Sequence, residues 1–268
     1  MTELLGLPVS PFTEKARWAL DHHGIRYRYR VHVPMVGELA LRLRLGKVLG
    51  RATVPVLFTG DRTLTDSFII ARWAEDHGSG APLFPADARA DIGAWNDRSE
   101  TALDAGRALV MRRFAASKGA AEESVPRAIP AAARGAATGI SRLAFRFISK
   151  KYSAADADDQ AEGRIATLSA TLVALRDALA GRPHLLGGLT YADITMAAVL
   201  QCVGPVSDDF VPMGPATRDA FTLPEIATRF ADLLAWRDEL YAGHRPRRSK
   251  AAIIGNEAKG NAERRPLT

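Results

Sequence analysis

The chain has 268 residues, 47% of them hydrophobic, with a formal net charge of +6 and a pI near 9.7. That size accommodates two ordinary domains, and no apolar run approaches the ~20 residues of a membrane span. The single cysteine, Cys202, excludes an internal disulfide framework and fits a reducing compartment.

The N-terminus lacks a basic segment followed by an apolar core and a small-residue cleavage site, so a cytoplasmic location is expected. Leu4 to Leu7 reads as a short buried strand. A helix then runs from about Pro11 to His22 and stops at Gly24. Ser10 is a good N-cap for it, Pro11 suits the first helical position, and Glu14 suits the positive helix end. Phe12, Ala16, Ala19 and Leu20 share one face, with Lys15 and Arg17 off it. His22 and His23 point in different directions on a helix and make a poor metal pair; no Cys/His grouping has zinc spacing, so no metal is expected. Ile25 to Val33 alternates strictly, with Ile25, Tyr27, Tyr29, Val31 and Val33 on one face, and predicts a half-buried strand.

Gly37 to Leu49 is apolar and basic and predicts a helix carrying Leu39, Leu43 and Leu45. Thr53 to Phe58 is a strand with Pro55 inside its apolar run, which places it at an edge, bulge or special turn. Gly60-Asp61 signals a hairpin turn, and Thr63 to Thr65 returns as a strand. Asp66-Ser67 caps a helix from Phe68 to His77, with Ile69, Ile70 and Trp73 as its apolar positions. Parallel opening strands joined by a helix require a crossover unit.

Gly78 to Pro85 is a linker, after which the chain turns alanine-rich and helical. A helix spans about Ala88 to Ser117, with Ile92, Trp95, Leu103, Val110, Met111 and Phe114. Gly119 to Pro130 is a break. Ile140 to Ile148 is amphipathic and reads as core-facing. A long helix follows from Asp158 to Ala180, with Ile165, Leu168, Leu172, Leu175 and Leu179. Thr190 and Asp193 form a capping box, flanked by a Leu189/Ile194 staple, at the head of a buried apolar helix from Tyr191 to Cys202. A last helix begins at Pro224-Glu225 and runs through Leu240. From Gly243 onward seven Lys/Arg stand against two Glu, so the basic excess belongs to a tail and the body before it is nearly neutral. Such a tail is expected to be disordered and solvating, although it could touch an acidic partner.

This order, with three separated motifs and the capping box, resembles the glutathione transferase family over about Leu4 to Gly243. Ser10-Pro11-Phe12-Thr13 looks like the catalytic turn of the serine-type classes, nearest in wording to the tau class. Val54-Pro55-Val56-Leu57 looks like the cis-proline segment, and Asp66-Ser67 like the acidic-serine pair. Each motif alone is unspecific; together, in order and with compatible spacing, they are specific for the fold. The resemblance implies an α/β thioredoxin-like domain over residues 1–80, a linker at 81–87, an all-α domain at 88–243 and the tail at 244–268.

It also implies a detoxifying transferase with glutathione as co-substrate, a small apolar electrophile, no permanently bound cofactor, no nucleic acid, and a homodimer paired through the helix after Ser67 and the helix after Ala88. Ser10 would hold the glutathione sulfur as a thiolate, with Thr13 as the alternative hydroxyl. Val54, before Pro55, would pair its backbone with the cysteinyl part. Asp66 would take the γ-glutamyl ammonium and Ser67 its carboxylate. The segment lacks the family's usual Asn-Pro and lysines, which leaves Arg51 and Lys47 for the glycyl carboxylate. Phe12, Met111 and Phe114 are the candidates for the second-substrate pocket. The alternative is a binding or scaffold protein that kept the fold without the catalysis.

Overall fold

The computed structural model describes residues 1–33, 37–46, 52–125, 135, 138–139 and 158–247. It divides into two units. The first comprises Met1–Ala81, Ser207–Val211 and Tyr241–Thr268; the second comprises Pro82–Val206 and Pro212–Leu240.

In the first unit β1 (Glu3–Gly6), α1 (Pro11–His22) and β2 (Arg28–Val31) form the expected crossover, with β1 and β2 parallel. After α2 (Glu38–Arg44) come β3 (Val56–Phe58), β4 (Thr63–Leu64) and α3 (Ser67–His77). The sheet order is β2-β1-β3-β4, and both pairings of β3 are antiparallel. This is a thioredoxin-like half followed by a helical half, as the sequence implies.

Several expected faces are corrected by their surroundings. The alternation after Ile25 does not run to Val33 as one half-buried strand, because β1 ends at Gly6, the register partner of Val31. Val31, the last residue of the sheet's edge strand, and Val33, beyond it, are therefore exposed. The helix expected over 37–49 ends at Arg44, and Gly46 follows with a left-handed φ of +64°, where a glycine is favoured. Its inward residue is Leu41, packed with Leu5 and Val56, while Leu39 and Leu43 face outward. On α3 the buried apolar positions are Ile70, Ala71 and Ala74, and Ile69 is exposed. Helix α1 is buried on more than one face: Lys15 is enclosed, its Nζ 5.4 Å from the centre of the Phe12 ring.

The linker is pinned to the end of α1. Ser79 N–H donates to His23 O at 3.0 Å, and His22 Nε2 lies 2.8 Å from Ala81 O. A Cβ on Gly78 or Gly80 would collide with His23 and His22. The His23 ring is buried, edge-on to His22 at 4.9 Å between centroids, with Glu75 Oε2 3.8 Å from Nε2. Burial holds the His23 pKa below its ordinary value, helped by the charge of His22 and opposed by Glu75.

Residues 207–211 and 241–247, which by sequence belong to the helical domain and the start of the tail, group with the first unit. Tyr241 meets the buried Trp18 edge-on at 4.5 Å, and Phe210 lies 5.2 Å from Tyr241. Arg245, inside the segment expected to be a disordered tail, is buried. Residues 248–268 and the amphipathic 140–148 segment lie outside the described residues.

The second unit is helical. Its described elements are α4 (Arg89–Ala116), α5 (Lys118–Glu123), α6 (Asp158–Leu179), α7 (Tyr191–Val199) with a 3-10 turn over Leu200–Cys202, α8 (Pro215–Phe221), α9 (Pro224–Arg229) and α10 (Ala231–His244). Helix α4 packs on α6, α7 and α8. Where α4 crosses the 3-10 turn, a Cβ on Gly106 would stand 2.8 Å from Cys202 Cβ, so glycine sets the approach. Cys202 is buried, and burial pushes its thiol up to about 12.

All of Tyr191–Cys202 is buried, as its apolar composition predicts. The capping box forms. Asp193 Oδ2 accepts from Thr190 N–H at 2.8 Å and from its hydroxyl at 2.9 Å, and Oδ1 accepts from Leu185 N–H at 2.8 Å. Burial raises the Asp193 pKa against these three hydrogen bonds.

Two helices were not expected. Helix α5 falls in the predicted break, and over α8 the sequence predicts no element. They stabilise each other: the Glu123 carboxylate accepts from Ala216 N–H at 2.9 Å and Thr217 N–H at 2.8 Å, supplying the anion that the start of α8 favours. The single last helix expected from Pro224 is split at Phe230. Arg176 bridges the split, donating to Arg229 O at 2.7 Å and to both oxygens of Asp232.

Asp193→Ala strands the N–H groups of Leu185 and Thr190 in the interior and is expected to cost about 2–4 kcal/mol. Denaturant unfolding measures it, and an unchanged midpoint would contradict the role. For His23, the folded pKa lies below the unfolded value of 6.5, so the unfolded chain takes the proton first. Stability is expected to be full above pH ~6.5 and to fall as pH drops toward the folded pKa. Unfolding measured against pH should lose that component in His23→Gln.

Candidate functional site

The site follows from how the strands end. β1 pairs with β3 from Glu3↔Phe58 to Leu5↔Val56, so extending that register sets Pro55 and Val54 alongside Gly6 and Leu7. β3 pairs with β4 from Phe58↔Thr63 to Leu57↔Leu64, so the chain leaving β4 reaches Asp66 at the same end of the sheet. Helices α1 and α3 both start at that end and pack together. Ser10, Val54-Pro55 and Asp66-Ser67 thus share one rim, with two helix N-termini directed at it. Helix N-termini favour anions through their unpaired N–H groups and dipoles.

Ser10 is the N-cap of α1, with extended backbone (φ −77°, ψ 125°). Its Oγ accepts from Thr13 N–H at 3.5 Å, a long and weak bond. The residue is half-buried, so its hydroxyl proton remains able to serve a ligand. Thr13 differs in all three respects. It is fully buried, its Oγ1 accepts from Leu7 N–H at 3.1 Å, and its methyl fills the space left by the missing side chain of Gly6.

The Val54-Pro55 peptide is cis, as the resemblance implies. Val54 lies beyond the paired part of β3, whose register stops at Val56. Asp66 is the exposed N-cap of α3, and its Oδ1 accepts from Phe68 N–H at 2.8 Å and Ile69 N–H at 3.0 Å. Those two donors are therefore already used. Ser67, at the first helical position, is buried. Arg51 and Lys47 lie outside the described residues.

The pocket candidates are placed separately. Phe12 is half-buried in the first turn of α1. Met111 is half-buried on α4, and Phe114 is a core residue meeting Phe221 edge-on at 6.4 Å. Among the described residues no group of three or more His, Cys, Asp or Glu could hold a metal, and no helix is long and apolar enough to cross a membrane.

Sequence reasoning missed the charges behind the Ser10 turn. Glu14, Asp21 and Arg17 on α1 meet Tyr27, Tyr29 and Arg245 there. Arg17 lies 4.9 Å from the Tyr29 ring centre and 3.8 Å from Glu14 Oε2. Burial disfavours its charge, yet Glu14 beside it leaves the Arg17 pKa above its ordinary value. Burial also raises both tyrosine pKa values. Glu14 gave only a helix-end signal, and nothing local connects it with a residue 231 positions away.

The fold is that of glutathione transferases. Residues 9–77 match the family model described as glutathione S-transferase, N-terminal domain. A probable glutathione S-transferase of Nicotiana tabacum is 29% identical over 85 residues, which span 32% of this chain and 37% of that relative. Among solved structures, a glutathione transferase family member from Pseudomonas fluorescens with bound glutathione aligns with a TM-score of 0.58 at 19% identity, over 92% of this chain and 99% of its own. A beta-etherase from Sphingobium aligns with a TM-score of 0.58 at 18% identity, over 96% and 99%. A glutathione S-transferase from Ceriporiopsis subvermispora in complex with glutathione aligns with a TM-score of 0.57 at 16% identity, over 100% and 99%.

The two hydroxyls should separate in stability measurements. Thr13→Ala leaves Leu7 N–H without its acceptor and opens a gap at Gly6, an expected loss of about 1–3 kcal/mol. Ser10→Ala removes only a long cap bond, about 0.5 kcal/mol. Equal losses in chemical denaturation would contradict the division of roles.

Proposed function

We propose that the protein is a glutathione-dependent transferase in which Ser10 activates the glutathione thiol. The observation that carries this reading is the half-buried Ser10 as N-cap of α1, on the rim shared with Val54-Pro55 and Asp66-Ser67. A thiol of pKa ~8.5 is mostly protonated at neutral pH. A hydrogen bond from Ser10 Oγ to the sulfur, at a helix N-terminus, favours the thiolate. Ser10 is then the catalytic donor, not a nucleophile.

The backbone of Val54 pairs with the cysteinyl part of glutathione. Asp66, with Oδ1 engaged as a cap, offers Oδ2 to the γ-glutamyl ammonium. Ser67 takes the γ-glutamyl carboxylate with its own N–H and hydroxyl, since Asp66 already occupies the next two N–H groups. Arg51 or Lys47 meets the glycyl carboxylate. The thiolate attacks a small electrophile. The match of residues 9–77 to the glutathione S-transferase N-terminal domain and the glutathione held by structural neighbours support this reading. Between the two hydroxyls, the burial and existing acceptor role of Thr13 favour Ser10. A cytoplasmic homodimer paired through the α3 and α4 helices completes the proposal; Ile69, exposed on α3, suits such a contact.

Calorimetry with glutathione, followed by the ultraviolet absorbance of the bound thiolate against pH, tests it. Wild type is expected to bind glutathione, lower the thiol pKa and turn over a generic aromatic halide. Ser10→Ala is expected to raise the bound thiol pKa and lower kcat/KM by on the order of 10²-fold, the usual effect of losing one donor to a developing anion. No glutathione binding by the wild type would refute the transferase; binding without turnover across a broad electrophile panel would favour a non-catalytic binding protein.

A further inference from the structure

Arg245 lies one residue beyond α10 and continues its ladder, its N–H donating to Tyr241 O at 2.9 Å. Its side chain is only 3% exposed. Nε donates to Glu14 Oε1 at 2.8 Å, and Nη1 donates to Asp21 Oδ2 at 2.5 Å. The Trp18 ring centre lies 5.9 Å from its guanidinium carbon. Glu14 and Asp21 are seven residues apart, two turns of one helix, so they share a face. One planar guanidinium therefore grips α1 at both ends, a task that a lysine ammonium on a single point of attachment does not perform.

The two arms differ in what they hold. Asp21 also accepts from Tyr27 O–H at 2.8 Å, near the end of α1. Glu14 is in the first turn, and its N–H donates to Ser10 O at 2.9 Å, the first bond of the helix. Glu14 is itself buried, 3% exposed, where an uncompensated carboxylate is costly. A buried ion pair adds little net stability compared with an apolar pair of the same shape, but it fixes geometry.

We propose that Arg245 is a positioning residue: through Glu14 it sets the first turn of α1, and with it the direction of the Ser10 hydroxyl toward the bound thiol. The segment after α10 is then part of the thiol-activating apparatus. This rests on the transferase reading above. The Asp21 arm secures the far end of the helix and does not enter the thiol's environment.

The test uses the full chain and glutathione. Arg245→Met takes from the buried Glu14 its hydrogen-bonded partner and risks misfolding, so the decisive variant is the double Glu14→Gln/Arg245→Met, which keeps the net charge and removes the buried carboxylate together with its guanidinium; Asp21 keeps the Tyr27 hydroxyl as donor, and Asp21→Asn controls for the loss of that arm. Its bound thiol pKa is expected to rise by about one unit, a tenfold loss of thiolate preference. Its kcat at neutral pH should fall about tenfold, and the KM for glutathione should stay within about twofold, because the γ-glutamyl contacts are untouched. Asp21→Asn is expected to keep the wild-type thiol pKa, and Arg245→Lys to fall between wild type and the double variant. A wild-type thiol pKa and kcat in the double variant would overturn the proposal. So would an equal shift in Asp21→Asn, which would make the clamp a matter of general stability. If wild-type protein gives no thiolate signal with glutathione, the transferase reading fails and this role fails with it, an outcome visible before any variant is made.

Discussion

Helix α1 can seat against β1 because residue 6 has no side chain. The methyl of Thr13 occupies the place where a Cβ on Gly6 would stand, and Thr13 Oγ1 reaches back to Leu7 N–H across the turn. That contact fixes where the strand hands over to the helix. The rest of the rim follows from it: Ser10 caps at the handover, and β3 pairs with β1 so that Pro55 extends beside Gly6. β4 then returns the chain to Asp66 at the same end. A side chain at residue 6 would push α1 away from the sheet and separate the three motifs without altering any of them.

Much of this was legible in the sequence because the signals are local. N-caps at Ser10, Asp66 and Thr190, the Gly60-Asp61 hairpin and the capping box at Asp193 each depend on residues within a few positions. The structure forms all of them. The buried run from Tyr191 to Cys202 was legible from composition alone. Faces were less so. Leu41 turns inward while Leu39 and Leu43 turn outward because Leu5 and Val56 lie on only one side of α2. A sequence pattern cannot say which side of a short helix meets a sheet.

What was not legible depends on partners distant in the chain. Helix α8 starts on the carboxylate of Glu123, 93 positions away from Ala216. The split of the last predicted helix is held by Arg176, and the Ser10 turn is backed by Arg245. In each case one charged side chain completes a structure whose own residues carry a weak signal. Arg245 was the hardest to place, since by composition it belongs to a basic tail. Composition counts charges, whereas burial is decided by the two carboxylates that α1 presents at a two-turn spacing.

The close crossing at Gly106 has a chemical consequence. By letting α4 descend onto the 3-10 turn, it seals Cys202 beneath a helix, where burial holds the thiol protonated with a pKa of about 12. Cys202 is the chain's only cysteine. On the proposed reading, a chain that brings a thiolate and an electrophile together offers no accessible thiol of its own. A thiol enclosed in this way is withheld both from alkylating electrophiles and from thiol–disulfide exchange, so modification by such reagents would have to proceed through some other group.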